Sequence, residues 1–76
     1  MSAPPSARVL AVRRAVGERI RAARLHANLT QEKLAEVAGL DRQTINRMEQ
    51  GHASPRLDNL VRIADALDVP LADLVR

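Results

Sequence analysis

Hydrophobic positions recur at three- and four-residue steps along almost the whole chain, and caps or turn residues interrupt them at four places. Val9, Val12, Val16, Ile20, Ala23 and Ala27 form the first stripe. They predict a helix capped by Ser6, running through Arg8 and ending near Ala27. Gly17 lies inside this stripe and costs up to about 1 kcal/mol relative to Ala. A break there stays open, but a continuous or kinked helix is favoured. His26 then belongs to a helix C-terminus, where a cation suits the carbonyl end.

Thr30 caps a predicted second helix over residues 31–37, with Glu32 in its first turn and Leu34, Ala35 and Ala38 on its buried side. Gly39 follows as the positive-φ residue that permits a sharp reversal. Asp41 caps a third helix over 42–50, which Gly51 ends, and His52-Ala53-Ser54-Pro55 is a loop. Leu57, Leu60, Ile63, Ala64 and Leu67 mark a fourth helix over 57–67. After a turn at Asp68-Val69, Pro70 suits the first turn of a short fifth helix ending at Arg76. Nothing reads as a strand, so the expected fold is an all-α, five-helix bundle. Residues 1–7 are expected to be a flexible tail before a single domain over 8–76.

The second and third helices, joined by the tight turn Ala38-Gly39-Leu40, have the layout of a helix-turn-helix. At roughly 100° per residue, Ile45 and Met48 share one side of the third helix, with Thr44 at its edge. Arg42, Gln43, Asn46 and Arg47 cover an arc of roughly 140° on the other. Arg can make a bidentate contact to guanine, and Gln or Asn to adenine, in a major groove. Asp41 leaves the first turn's remaining N–H groups near an approaching phosphate. An ordinary solvated face is the plain alternative, but such a face commonly mixes Glu with Lys. Here Glu49 is the only carboxylate beyond the cap, and it lies beside Ile45, toward the core.

Composition narrows this further. Seventy-six residues fit one domain, and without Cys its stability must come from packing of the 46% of residues that are hydrophobic. There is no Phe, Tyr or Trp on which to stack unpaired bases, which favours duplex over single-strand recognition. The net charge of +3 is unevenly spread: ten Arg/Lys against five Asp/Glu over 1–57, then two Arg against four Asp over 58–76. A basic front suits nucleic acid and a mildly acidic end suits protein. No apolar run approaches the roughly 18 residues of a membrane span. Val9–Val12 is too short for a signal-peptide core and precedes two arginines, so a cytoplasmic, nucleoid-associated location is expected.

Four motifs occur in order: Gly17-Glu18-Arg19-Ile20-Arg21-Ala22-Ala23-Arg24, Leu29-Thr30-Gln31-Glu32-Lys33-Leu34-Ala35-Glu36-Val37-Ala38-Gly39, Ile45-Asn46-Arg47-Met48-Glu49-Gln50-Gly51, and Pro55 with Leu57-Asp58-Asn59-Leu60 and Ile63-Ala64-Asp65-Ala66-Leu67. With these the chain resembles the phage repressor and Cro-like helix-turn-helix family, also called the xenobiotic-response-element family, over roughly Val16–Val75. The resemblance implies a lambda-repressor-like DNA-binding domain. It implies that Arg42, Gln43 and Arg47 read bases, with Thr44 and Asn46 flanking them. It implies phosphate contacts from Gln31, which also braces the recognition helix, and from Gln50, His52, Ser54 and Arg56 in the following loop. It also implies an internal salt bridge between Arg24 and Glu49.

Two positions depart from the family. Arg56 stands where a small hydroxyl residue commonly caps the fourth helix, so Ser54-Pro55 is expected to cap instead. Asp68 stands where Gly is frequent. The segment before Val16 has no assigned role; it could lengthen the helix, touch the DNA backbone through Arg13 and Arg14, or meet a partner.

With three serines, two histidines and no Cys, no catalytic or metal-binding arrangement is visible, and neither an enzyme nor a cofactor is expected. The expectation is a transcriptional regulator, a repressor by preference, that binds double-stranded operator DNA as a homodimer. Val69, Leu71, Leu74 and Val75 are candidate dimer contacts, with a place in the core equally open. An antitoxin that also binds a toxin, or a restriction–modification controller protein, is the alternative.

Overall fold

The computed structural model describes residues 3–76, and these fold into five helices: α1 Ala7–His26, α2 Gln31–Ala38, α3 Arg42–Glu49, α4 Leu57–Leu67 and α5 Ala72–Val75. Among the described residues there is no strand. Of the expected tail, Met1 and Ser2 lie outside the described residues, Ala3–Ser6 are non-helical, and Ala7 already belongs to α1.

Three helices begin as their caps dictate. The Ser6 hydroxyl accepts from the Val9 N–H at 3.1 Å, Thr30 from the Lys33 N–H at 3.0 Å, and Asp41 from the Thr44 N–H at 2.8 Å. Each relieves an amide left without a partner in the first turn. The start of α4 differs from expectation. Its N-cap is Arg56, in extended conformation and without a side-chain cap hydrogen bond, so Ser54-Pro55 does not take that role.

The first four helices end on one device. Asn28, Gly39, Gly51 and Asp68 all have left-handed backbone, with φ between 55° and 73°. In each case the next residue's N–H returns to a carbonyl of the last helical turn: Leu29 to Arg24, Leu40 to Ala35, His52 to Arg47 and Val69 to Ala64. Asp68 thus adopts the conformation for which glycine is favoured, and Asn28 does so with a side chain that tolerates it.

α1 is continuous through Gly17. A Cβ there would lie 2.6 Å from the Glu49 carbonyl oxygen and closer still to that of Met48. The missing side chain lets the α1 backbone lie directly on the C-terminal end of α3. Gly51, just beyond that end, approaches Arg14 less closely: a Cβ there would lie 3.0 Å from the Arg14 Cα.

The core gathers Val16 and Ile20 from α1, Leu34 from α2, Ile45 and Met48 from α3, Leu60 and Ile63 from α4, and Leu74 from α5. The α1 stripe is buried only in its middle. Val9 and Val12 at its start and Ala27 at its end are exposed.

Candidate nucleic-acid interface

A hydrogen-bonded network fixes α3 to the rest of the bundle. Arg24 and Glu49, 8% and 7% exposed, meet in a bidentate pair: Nε to Oε2 at 2.7 Å and Nη2 to Oε1 at 2.9 Å. The remaining terminal nitrogen of Arg24 donates to the Leu29 carbonyl at 2.9 Å, tying the α1–α2 connection into the same cluster. The hydrogen bond to Glu49 holds the Arg24 guanidinium more firmly protonated than an ordinary arginine, although burial acts the other way.

Gln31, the first residue of α2, uses its amide nitrogen twice, toward Asn46 Oδ1 at 3.1 Å and Glu49 Oε1 at 3.2 Å. Gln50 also donates to Asn46 Oδ1, at 3.4 Å. These bonds refine two expectations. Both side-chain donors of Gln31 are committed to bracing α3, so only its backbone N–H remains to meet a phosphate. Asn46 has its carbonyl occupied and keeps only its amide N–H groups for a base edge.

Outside the network, Arg42, Gln43 and Arg47 are exposed, and their side chains make no hydrogen bond among the described residues. Thr44 is half-buried and donates its hydroxyl to Asp41 Oδ2 at 3.2 Å. Asp41 is acidified below its ordinary value by the Thr44 backbone N–H, then by the Thr44 hydroxyl. A carboxylate therefore caps the helix whose exposed face is otherwise cationic and amide-bearing.

The loop after α3 presents His52, Ser54 and Arg56 to solvent. Thr44 and Arg47 share one shallow depression with Ser54, Arg56 and Asn59. The fold thus brings expected base-reading and phosphate residues to one surface. Asn59, half-buried in the first turn of α4, joins them although the sequence reading gave it no role. Its signal was its place one turn after the loop, on the face toward Arg47.

The candidate dimer contacts separate. Leu74 is 1% exposed and belongs to the core, where it closes α5 against α1. Val69 and Leu71 are partly buried against the same core, and Val75 alone is exposed. Among the described residues no cluster of His, Asp and Glu is placed to hold a metal ion. No helix among them is long and apolar enough to cross a membrane.

A reversal between two short helices, the second locked by a buried ion pair and carrying an unpaired Arg/Gln face, defines a helix-turn-helix domain. The helix-turn-helix family pattern matches residues 20–74, and the chain belongs to that family of DNA-binding transcriptional regulators. It is similar to the cryptic phage CTXphi transcriptional repressor RstR of Vibrio cholerae serotype O1, with 34% identity over 59 residues, 78% of this chain and 53% of the repressor. It is also similar to the control protein C.BamHI of Bacillus amyloliquefaciens, with 38% identity over 65 residues, 84% of this chain and 80% of that protein. The restriction-modification controller protein C.AhdI from Aeromonas hydrophila has a similar structure, with TM-score 0.82 and 36% identity, covering 84% of this chain and 97% of that one. The chain spans about half the length of the phage repressors it matches.

Proposed function

We propose that this chain is a sequence-specific transcriptional regulator, a repressor by preference, that places α3 in the major groove of an operator and acts as a homodimer in the cytoplasm, on nucleoid DNA. The observation that carries this reading is the contrast along α3. Glu49 and Asn46 are held by Arg24 and Gln31, whereas Arg42, Gln43 and Arg47 are exposed without partners. A helix fixed on one face and unsatisfied on the other suits base-edge hydrogen bonding. Gln50, His52, Ser54 and Arg56, with the Gln31 backbone N–H, are assigned to phosphates on either side, and Thr44 and Asn46 to the edges of the reading face.

Two substitutions test the assignment. Gln43→Ala relaxes preference at one base pair, costing about 1–3 kcal/mol on the best site. Arg56→Ala weakens all duplexes alike and lowers the salt slope by about one unit. Binding isotherms on matched and mismatched duplexes at several salt concentrations separate the two; equal, sequence-blind losses refute the base-reading role.

The match to C.AhdI over 97% of that chain, and to C.BamHI over 80% of its length, favours a restriction–modification control protein as the second reading. Binding upstream of a restriction endonuclease gene would select it.

A further inference from the structure

The first three turns of α1 precede the segment that matches the family, and they border a groove against α5. Two adjoining depressions, of about 350 and 410 Å³, lie on either side of Val12 and Val75 and share Arg8. Val9, Val12, Val16, Leu60 and Val75 make an apolar floor, and Val9, Val12 and Val75 are 44%, 47% and 44% exposed. Arg8, Arg13, Arg19 and Arg76 line the depressions, and no Asp or Glu does. None of the four is in an ion pair among the described residues, and Arg13 Nε is buried without a hydrogen-bond acceptor. From Val9 to Arg19 the groove follows α1 for about 15 Å, close to three helical turns.

We propose that this groove docks an acidic amphipathic helix of another protein, with apolar side chains on Val9, Val12 and Val75 and carboxylates toward the surrounding arginines. The chemistry excludes closer rivals. A DNA backbone would leave the apolar floor without a partner. An extended peptide would need a sheet edge or, as a polyproline helix, an aromatic-lined groove; the described residues contain no strand and the sequence no aromatic side chain. A second copy offers no helix with an unbroken acidic flank: Arg62 stands between Asp58 and Asp65 on α4, Lys33 pairs with Glu36 on α2, and the short α5 carries Asp73 alone. The inference stands apart from the base-reading assignment, since the groove shares only Ser54 with the residues named there.

The full chain is titrated into a fluorescent synthetic helix of about 14 residues, with Leu at helical spacing and Glu on both flanks, and into its twin with Lys for Glu. The acidic peptide binds at least about tenfold more tightly than the twin. Its binding falls at least about tenfold in Val12→Glu and in the double variant Arg8→Glu/Arg76→Glu. Those sites are exposed, and circular dichroism confirms that the variants remain folded. Duplex binding and sedimentation are unchanged. Equal binding of the two peptides, or undiminished binding by Val12→Glu, overturns the proposal. Conversion of a dimer to monomer by Val12→Glu assigns the groove to a second copy instead. A lower salt slope on DNA for the arginine variant assigns it to phosphates.

Discussion

Gly17 shows how far one residue's meaning can lie from its own neighbourhood. On helix propensity alone, Ala at this position should stabilise α1 by up to about 1 kcal/mol. The added methyl would instead press on the carbonyls of Met48 and Glu49, and overpacking against backbone costs about 3 kcal/mol. The second effect wins, so Gly17→Ala lowers stability by about 2 kcal/mol net in urea denaturation; a gain would show that the two helices separate freely. Asp41 supplies a pH-dependent case. Its folded-state pKa lies below the ordinary 3.8, so its contribution is complete above that value and disappears as pH falls through the lowered one. Asp41→Asn keeps a capping oxygen without the titration. Urea midpoints at about pH 6 and about pH 3 therefore drop less in the variant than in the parent chain. The close approach at Gly17 was not legible in the sequence, because its cause lies in α3, some thirty residues away. The left-handed backbone of Asp68 was signalled only by the family resemblance, in which Gly is frequent at that position, because a carboxylate does not itself announce positive φ.

Among the elements, α3 depends most on its neighbours. It has only eight residues, too few to be stable alone, so packing and the Arg24–Glu49 pair must hold it. Arg24→Met strands a buried carboxylate and costs about 3–5 kcal/mol. Arg24→Met combined with Glu49→Leu strands no charge and costs less than the sum of the single changes. A double-mutant cycle measured by urea unfolding reads the difference, and additivity would show that the pair is not coupled. All five elements could be read from the sequence, since Ser6, Thr30 and Asp41 start helices and stripes such as Leu57, Leu60, Ile63 and Leu67 continue them. Their ends fell within a residue or two, apart from the short α5. Periodicity gives the phase of a helix but not the reach of what packs on it. For that reason the stripe could not show that Val9 and Val12 stay exposed, or that Leu74 belongs to the core. Residue types identified Arg42, Gln43 and Arg47 as a polar face, but only the fold shows that Gln31 has both its amide hydrogens engaged.

At the scale of the whole molecule, the core is aliphatic throughout and the five helices close around it within 37 × 22 × 18 Å. So small a domain can cover few base pairs alone, and the homodimer proposal follows from that. Two copies on an operator should occupy half-sites about 34 Å apart, one helical turn of DNA. Selection from a random duplex pool should return inverted repeats at this spacing, and sedimentation with the selected duplex should show two chains bound. Monomer alone, with or without the duplex, would sink the proposal.

The contact of α1 with the end of α3 also bears on the thermodynamics of recognition. With the α1 backbone against the carbonyls of Met48 and Glu49, and Arg24 gripping Glu49 beside them, α3 cannot slide or turn without breaking those contacts. The face proposed to read bases is therefore formed without DNA. Association then has to quiet only a few long side chains, at about 0.5–1.5 kcal/mol each, instead of folding a segment around its target. The recognition helix meets the groove as a finished tool, with its ordering entropy already settled during folding.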